Sequence, residues 1–335
     1  MDYRRLGNSG LSVSNLCLGA MMFGGRTSEQ DSVRIVDSAR DAGVNFIDVA
    51  DVYVKGESER VIGRAIAKDR DAWVLATKGT IAMGDGPNQW GMSRKWLTEA
   101  LDNSLRRIGS DYVDIYYLHR DDTLTPLEET IAALGDFIRA GKIRYWGFSN
   151  FSAWRIAEMV AICDRLGVPR PVVCQPYYHA LVRLPEVETL PACRHFGIGV
   201  ASFSPLARGV LSGKYLPGQA PDPESRAAAK DKRMMETEWR DDSLIIAQKI
   251  KAYAESRGIS IIDYAVQWVL NNTTVTSIIA GPRTMEQWQS YLDALDKPFT
   301  AEDEAFLDTL VVKGHSSTHG YTDPSHPVHG RVTRT

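Results

Sequence analysis

The sequence predicts an α/β protein folded as a single (β/α)8 TIM barrel, with an N-terminal β-hairpin, long rim loops and a C-terminal tail. Three observations support this fold: eight short apolar runs, amphipathic helices between them, and no break in composition along 335 residues. Short continuous apolar runs are typical of strands buried on both faces of a parallel sheet. Because such barrels run from about 250 to more than 400 residues, we predict one domain over residues 1–335. A C-terminal helix and tail, from about 300 to 335, are expected to lie over the barrel mouth.

A β-hairpin is predicted ahead of the barrel, because Tyr3–Asn15 carries the turn-forming residues Gly7–Gly10 in its middle. We expect this hairpin to plug the barrel floor. The barrel strands then follow in chain order. They are predicted at Leu16–Leu18, Asn45–Asp48, Trp73–Thr77, Val113–Leu118, Tyr145–Ser149, Val172–Cys174, Val200–Phe203 and Val275–Ala280.

Start and stop signals mark the helices between these strands. Thr125–Glu128 has the pattern of a capping box with proline at the first helical position. Another helix is predicted to begin after Ser93 and to end near Gly109, since glycine favours the left-handed conformation that closes a helix. Ser28 and Ser260 each precede an aspartate by three residues and predict two more helix starts.

An open doubly wound sheet is the alternative architecture. Its phosphate-binding fingerprint should follow the first strand, but Gly19–Gly25 does not give the GxGxxG pattern. Three stretches lie outside the repeat of strands and helices, at Gly79–Gly91, at Leu206–Trp239 and in the tail from about Thr300 onward. The first two follow the carboxyl ends of predicted strands, where long loops usually shape an active site. The barrel with long rim loops is therefore favoured.

Composition excludes several function classes. Lys plus Arg is 39 and Asp plus Glu is 42, so the net charge of −3 argues against binding to nucleic acid or to an acidic membrane. No apolar run approaches the roughly 18 residues of a membrane span, and the first residues lack a signal-peptide core. The four cysteines are scattered, which favours reduced thiols in a cytoplasmic protein. No metal site is predicted, although four of the seven histidines lie in the tail, at His315, His319, His326 and His329.

Four ionisable residues fall at consecutive strand ends. Asp48 ends the second predicted strand with Tyr53 just after it, Lys78 ends the third, and His119 ends the fourth. Neighbouring strands of a barrel bring such residues to one patch of the carboxyl-terminal rim, where barrel enzymes perform their chemistry. Each residue alone has a structural explanation, but four at consecutive strand ends favour a catalytic site.

These side-chain types suit protonation of an oxygen on which negative charge develops. A free phenol has a pKa of about 10, and a nearby lysine ammonium favours the phenolate and lowers that pKa. A carboxylate keeps the lysine charged, and a neutral histidine orients a carbonyl oxygen. The set contains neither a metal-ligand group nor a nucleophile–base pair.

Around these residues the sequence resembles the aldo-keto reductase family. Phe46–Tyr53 resembles its Asp/Tyr segment, Ala76–Lys78 and Tyr117–His119 match its Lys and His strands, and Gly147–Asn150 matches its Gly-Phe-Ser-Asn element. The likeness covers nearly the whole chain. It implies reduction of an aldehyde or ketone by hydride transfer from NADPH, with Tyr53 as general acid.

The same resemblance assigns the cofactor-binding residues. They are, from the nicotinamide to the adenosine 2′-phosphate, Ser149, Asn150, Gln175, Phe203, Ser204, Leu206, Arg208, Lys214, Gly281, Arg283 and Gln287. An arginine at position 283 gives the 2′-phosphate a planar and permanently charged partner, which favours NADP(H) over NAD(H). Many relatives place Glu and Asn just beyond the glutamine, whereas this chain has Ser290 and Tyr291.

Several alternatives stay open from the sequence. The expected substrate is a small-molecule carbonyl compound, ranging from small aldehydes and sugars to pyridoxal-like rings and bulky polycyclic ketones. Trp90, Met92 and Trp239 are candidates for the substrate pocket. A cofactor-binding regulatory subunit resembling potassium-channel β-subunits is the second hypothesis, although near-neutral charge and a short N-terminal segment argue against it. The third is a lyase that forms a Schiff base through Lys78. Oligomeric state and physiological direction are not predicted.

Overall fold

The computed structural model describes residues 1–327, and its centre is a closed barrel of eight parallel strands. A separate two-stranded antiparallel hairpin precedes the barrel. The strands β1 to β10 are Tyr3–Arg5, Ser12–Ser14, Leu16–Gly19, Phe46–Asp48, Val74–Gly79, Val113–Leu118, Ile143–Ser149, Val173–Gln175, Gly199–Phe203 and Val275–Ala280. Around the barrel the strand order is β10-β3-β4-β5-β6-β7-β8-β9.

Helices surround this barrel and connect its strands. Their apolar faces pack on the outside of the sheet in one continuous core. Among the described residues they are, from α1 to α11, Glu29–Asp41, Glu57–Ile66, Arg94–Ile108, Leu127–Arg139, Ala153–Leu166, Thr189–Phe196, Lys232–Thr237, Asp241–Ser256, Ile261–Asn271, Met285–Ala294 and Ala301–Leu310.

The predicted fold class and all eight barrel strands are confirmed. Helix α3 begins after Ser93 and ends at Gly109, which has φ of 73°, as its sequence indicates. The capping box at Thr125 is wrong: α4 begins at Leu127, and the Thr125 hydroxyl donates instead to the Asp122 carboxylate at 2.5 Å. Pro126 is the residue that precedes the helix, and no side chain caps this helix start.

The hairpin closes the barrel floor. Leu6 and Val13 are fully buried and join the cluster of side chains that fills the barrel interior. The Asn8 amide donates to the Gly197 carbonyl at 2.7 Å, just before β9 begins. Since this end is packed, a ligand must enter from the opposite, carboxyl-terminal end of the strands.

Two segments build the rim of that open end. The stretch between β9 and α8 contains the short helix α7, and the residues after α11 cross the rim beside it. The amide of Ser317 donates to the Leu181 carbonyl at 2.8 Å, and Arg233 of α7 pairs with Asp323 at 2.6 Å. The described part of the tail is therefore fixed on the mouth.

Other features bear on the predicted exclusions. Within residues 1–327 no helix is both long and apolar enough to cross a membrane. Over the same range, no three or more His, Cys, Asp or Glu side chains are grouped to hold a metal ion, and His329 lies outside the described residues. All four cysteines are free and buried.

Candidate active site

The structure brings the four predicted catalytic residues together at the barrel mouth. The Lys78 ammonium, in β5, lies 2.5 Å from the Asp48 carboxylate at the end of β4. It also lies 3.2 Å from the Tyr53 hydroxyl. His119 directly follows β6, and the centre of its ring is 5.8 Å from that of Tyr53. Consecutive strands of the barrel thus supply one cluster.

A strained turn holds Tyr53 in this cluster. The residues after it, Val54 and Lys55, have φ of 47° and 55°. Side chains other than glycine rarely adopt this left-handed region, and a β-branched residue does so only when its surroundings enforce it. The turn is therefore specified by its surroundings rather than by local preference.

Lys78 is an ammonium with all its donors used. Its side chain is fully buried, and beside Asp48 and Tyr53 it also donates to the Val49 carbonyl at 2.7 Å. Burial lowers the pKa of Lys78, but the Asp48 carboxylate and the Tyr53 oxygen raise it by more, so that the pKa lies above its ordinary value. A lysine so held is not a free amine, which argues against a Schiff-base lyase.

The pKa of Tyr53 shifts in the direction opposite to the one expected from the sequence. Burial raises the pKa of Tyr53 above its ordinary value, and the Lys78 charge lowers it only in part. Tyr53 is therefore a neutral phenol at pH 7, ready to donate a proton. The lysine still has its expected role, because it stabilises the phenolate that remains after donation.

His119 is a neutral imidazole. Burial and the positive charge of Lys78 hold the pKa of His119 well below its usual range. Its Nδ1 is buried without a hydrogen-bond partner among the described residues. A buried acceptor without a partner is tolerated better than a buried donor, so the proton belongs on Nε2. That nitrogen is then the one that can donate to a substrate oxygen.

A cavity of about 450 Å³ opens on this cluster and runs across the barrel mouth. Asp48, Tyr53 and His119 line it, whereas Lys78 lies just beneath its surface. Every residue that the resemblance assigns to the cofactor also lines it. These are Ser149, Asn150, Gln175, Phe203, Ser204, Leu206, Arg208, Lys214, Gly281, Arg283 and Gln287.

At one end the cavity offers amide groups. The Gln175 side chain donates to Asp48 at 2.8 Å, and the Ser149 hydroxyl donates to the Gln175 carbonyl at 2.8 Å. The Asn150 side chain accepts from the Tyr177 amide at 3.0 Å, and its own φ is 57°. These bonds fix the three polar side chains beside the catalytic cluster.

At the other end the lining is cationic. Arg283 donates to the Glu224 carbonyl at 3.1 Å, and its own amide donates to the Gln287 side chain at 2.8 Å. Burial lowers the pKa of Arg226, the Asp231 carboxylate offsets part of this effect, and the nearby charges of Arg208 and Arg26 lower the pKa further. Arginines that disfavour one another in this way fit a ligand with several phosphate charges. A dinucleotide with a 2′-phosphate has that chemistry.

Sequence reasoning missed Arg26 and Arg226, which also line the cavity. Arg226 lies in the rim loop Leu206–Trp239, whose mixed charges are typical of a solvated surface. Its burial depends on how that loop folds back over the mouth, so periodicity carries no signal for it. Ser290 and Tyr291, which depart from the family pattern, line the cavity as well.

The three residues proposed for the substrate pocket lie elsewhere. None of them is among the described residues that line the cavity. Met92 is fully buried in the core, and Trp90 is 45% exposed. Trp239 packs against Tyr215, with ring centres 5.2 Å apart. Overhanging loops bring Ile81, Met21 and Val52 to the cavity instead.

The chain is similar to known proteins over most of its length. A protein of Arabidopsis thaliana named "Probable voltage-gated potassium channel subunit beta" is 39% identical over 301 residues, covering 88% of this chain and 92% of the relative. The "L-glyceraldehyde 3-phosphate reductase" of Escherichia coli strain K12 is 35% identical over 327 residues, covering 94% and 93%. An uncharacterized oxidoreductase of Bacillus subtilis is 36% identical over 308 residues, covering 88% and 91%. The profile of the Aldo/keto reductase family matches residues 15–311, and the chain therefore belongs to that family.

Proposed function

We propose that this protein reduces an aldehyde or ketone to an alcohol, with NADPH as the hydride donor and Tyr53 as the general acid. The observation that carries the proposal is the contact chain from Tyr53 through Lys78 to Asp48, beside His119 and at one end of a cavity with a cationic far end. Family membership supports the oxidoreductase class. The free and buried cysteines fit a reducing compartment, and the cytoplasm is the proposed location.

In this proposal each catalytic side chain has a separate role at the carbonyl group of the substrate. When bound, NADPH supplies the hydride that adds to the carbonyl carbon. The Nε2–H of His119 holds the carbonyl oxygen, and the O–H bond of Tyr53 breaks as a new O–H bond forms on that oxygen. The electron pair stays on the tyrosine oxygen, 3.2 Å from the Lys78 ammonium, which stabilises it.

The proposed cofactor contacts follow the lining of the cavity. Ser149, Asn150 and Gln175 hold the carboxamide, and Phe203 stacks on the nicotinamide ring. The diphosphate is covered by Leu206, Arg208 and Lys214. Ser204 lies next to Phe203 at the nicotinamide end of the cavity, and Gly281 lies near Arg283 at the other end. Arg283 and Gln287 receive the 2′-phosphate.

Tyr53→Phe tests the reaction. The variant keeps the ring and loses the proton, so kcat for a panel of aldehydes and ketones should fall about 10²- to 10⁴-fold. Consumption of NADPH is followed by its absorbance, and binding of NADPH by fluorescence should stay within about twofold of the parent, since no cofactor contact is removed. Tyr3→Phe, in the hairpin at the floor, is the matched control. Undiminished turnover in Tyr53→Phe contradicts the assigned role.

Arg283→Ala tests the cofactor preference. The substitution removes a charged partner of the 2′-phosphate, so the Kd for NADPH should rise about 10- to 100-fold. The Kd for NADH, which has no 2′-phosphate, should change less than about threefold. Fluorescence titration of both cofactors gives the two ratios, and equal losses would show that Arg283 does not discriminate between them.

A regulatory subunit is the second proposed function, because the Arabidopsis relative carries the name of a channel β-subunit. Tight binding of NADPH without turnover of any carbonyl compound favours this alternative. The panel includes glyceraldehyde 3-phosphate, since the Escherichia coli relative is named for its L-isomer. Turnover that depends on Tyr53 favours the reductase.

A further inference from the structure

One cation of the cavity lies on the catalytic side. Arg120 directly follows His119, lines the cavity and has an exposed side chain. Its charge is near enough to the imidazole to contribute to the lowered pKa of His119. Within residues 1–327 its guanidinium has neither a hydrogen-bond acceptor nor an ion-pair partner, unlike the neighbouring Asp121, which pairs with Arg155 at 3.2 Å.

The backbone of Arg120 is fixed from two sides. The Thr80 hydroxyl accepts from the Arg120 amide at 2.9 Å and donates to the Arg120 carbonyl at 3.1 Å. Thr80 is buried and has φ of 99°, a conformation that a β-branched residue adopts only under constraint. A strained residue therefore sets the direction from which this arginine leaves the strand end.

Topology separates Arg120 from the cations assigned to the cofactor. Arg120 follows β6 and Arg283 follows β10, and these strands are four steps apart in either direction around the closed barrel. The two arginines thus follow strands on opposite sides of the mouth. Arg208 and Lys214 follow β9, next to β10.

The charges that line the cavity also distinguish Arg120 from the cations assigned to the cofactor. Its described acidic side chains are Asp48 and Glu224. Arg208, Arg226 and Arg233 have acidic partners at 3.3 Å, 4.0 Å and 2.6 Å. On the far side, Arg26, Lys214 and Arg283 have no acidic partner among the described residues, and they suit the phosphates of NADP(H), which carry about −1.5 to −2 on the monoester alone. Arg120 lies on the opposite side of the mouth, beside the reacting group.

We propose that the preferred carbonyl substrate carries an anionic group, a phosphate monoester or a carboxylate, and that the Arg120 guanidinium binds it. The proposal rests on the reductase function and names its substrate class. An arginine presents a planar set of donors that matches either oxyanion in a two-point contact. His119 and Tyr53 hold the carbonyl group, and the contact between the anionic group and Arg120 then fixes the rest of the substrate.

Matched substrate pairs test this proposal. One pair is 4-carboxybenzaldehyde and its methyl ester, and the other is glyceraldehyde 3-phosphate and glyceraldehyde. The expected ratio of kcat/KM, anionic over neutral, is about 10 to 100 in at least one pair, and the pair that shows it identifies carboxylate or phosphate. A ratio near one in both pairs overturns the proposal.

Variants separate a binding role from a structural one. Arg120→Gln should bring the ratio to about one, and Arg120→Lys should restore part of it through charge alone. Thr80→Val keeps the shape but loses both hydrogen bonds, and it should lower the ratio through KM for the anionic substrate. A parallel loss for anionic and neutral substrates in Arg120→Gln overturns the assignment.

A binding measurement keeps this test distinct from failure of the reductase function. Calorimetry compares benzyl phosphate and benzoate with benzyl alcohol on the protein loaded with NADP⁺. Anion binding that is lost in Arg120→Gln supports the site even where no aldehyde is turned over. Absence of anion binding in the parent protein overturns the site, whatever the turnover.

Discussion

At the scale of single residues, the catalytic cluster could be predicted because its residues lie at the ends of strands. Asp48, Lys78 and His119 are polar residues at the ends of apolar runs, and parallel strands bring their ends together. The direction of the Tyr53 pKa shift was not predictable, because it depends on burial that only the folded rim creates. The same holds for Thr80, whose backbone strain has no signature in composition.

Asp51, two residues before Tyr53, should make stability depend on pH. Burial and the neighbouring Glu59 carboxylate raise its pKa to about 7. Because the folded pKa lies above the unfolded value of about 3.9, the folded state retains this proton between these pH values. The stability contributed by the protonated acid is therefore present at low pH and lost as pH rises through about 7.

Asp51→Asn checks this linkage, since asparagine mimics the protonated acid. At pH 8.5 the variant should have a larger free energy of unfolding than the parent, by up to about 4 kcal/mol. At pH 4 the difference should nearly vanish. Denaturant unfolding at both pH values gives the comparison, with the exposed Asp85→Asn as the control. A gain in stability that is equal at both pH values would contradict the raised pKa.

At the scale of elements, the alternating strands and helices could be predicted from the sequence, whereas the structure of the rim loops could not. The strands and the boundaries of α3 follow from apolar runs, serine caps and glycine stops. The segment between β9 and α8 lacks periodicity, and its order comes from contacts to other parts of the chain. Glu238, buried at its end, contacts Tyr177, His179 and Arg208. One carboxylate therefore ties this segment to the barrel.

Glu238→Gln should loosen that segment. The variant removes the negative partner of Arg208, and breaking a buried ion pair costs about 3–5 kcal/mol because the other charge stays buried. Amide hydrogen exchange should accelerate most in residues 204–240, and much less in the strands, since the tie is local. Glu255→Gln, on the exposed face of α8, is the control. Unchanged protection of residues 204–240 would contradict the role of Glu238.

At the scale of the whole molecule, the residues that stabilise the fold and the residues of the active site lie at opposite ends of the barrel. The hairpin and the inner side chains pack the floor, whereas the catalytic cluster and the cavity occupy the mouth. This division follows from parallel strands, because all carboxyl ends face one way. It also explains why strand positions could be predicted from the sequence while the rim, and with it the substrate, could not: the core imposes periodicity, and the mouth does not.

Leu6→Ala tests this separation of the two ends. Leu6 is fully buried among the side chains of the barrel interior, so its truncation leaves a cavity and should lower the free energy of unfolding by about 2–5 kcal/mol. The kcat/KM measured well below the unfolding temperature should stay within about twofold of the parent, because no group at the mouth has moved. Leu124→Ala, whose parent side chain is 81% exposed, should change stability by less than about 0.5 kcal/mol. If Leu6→Ala lowers kcat/KM in proportion to stability, the floor and the mouth are energetically coupled, and the barrel does not insulate its active site from its core.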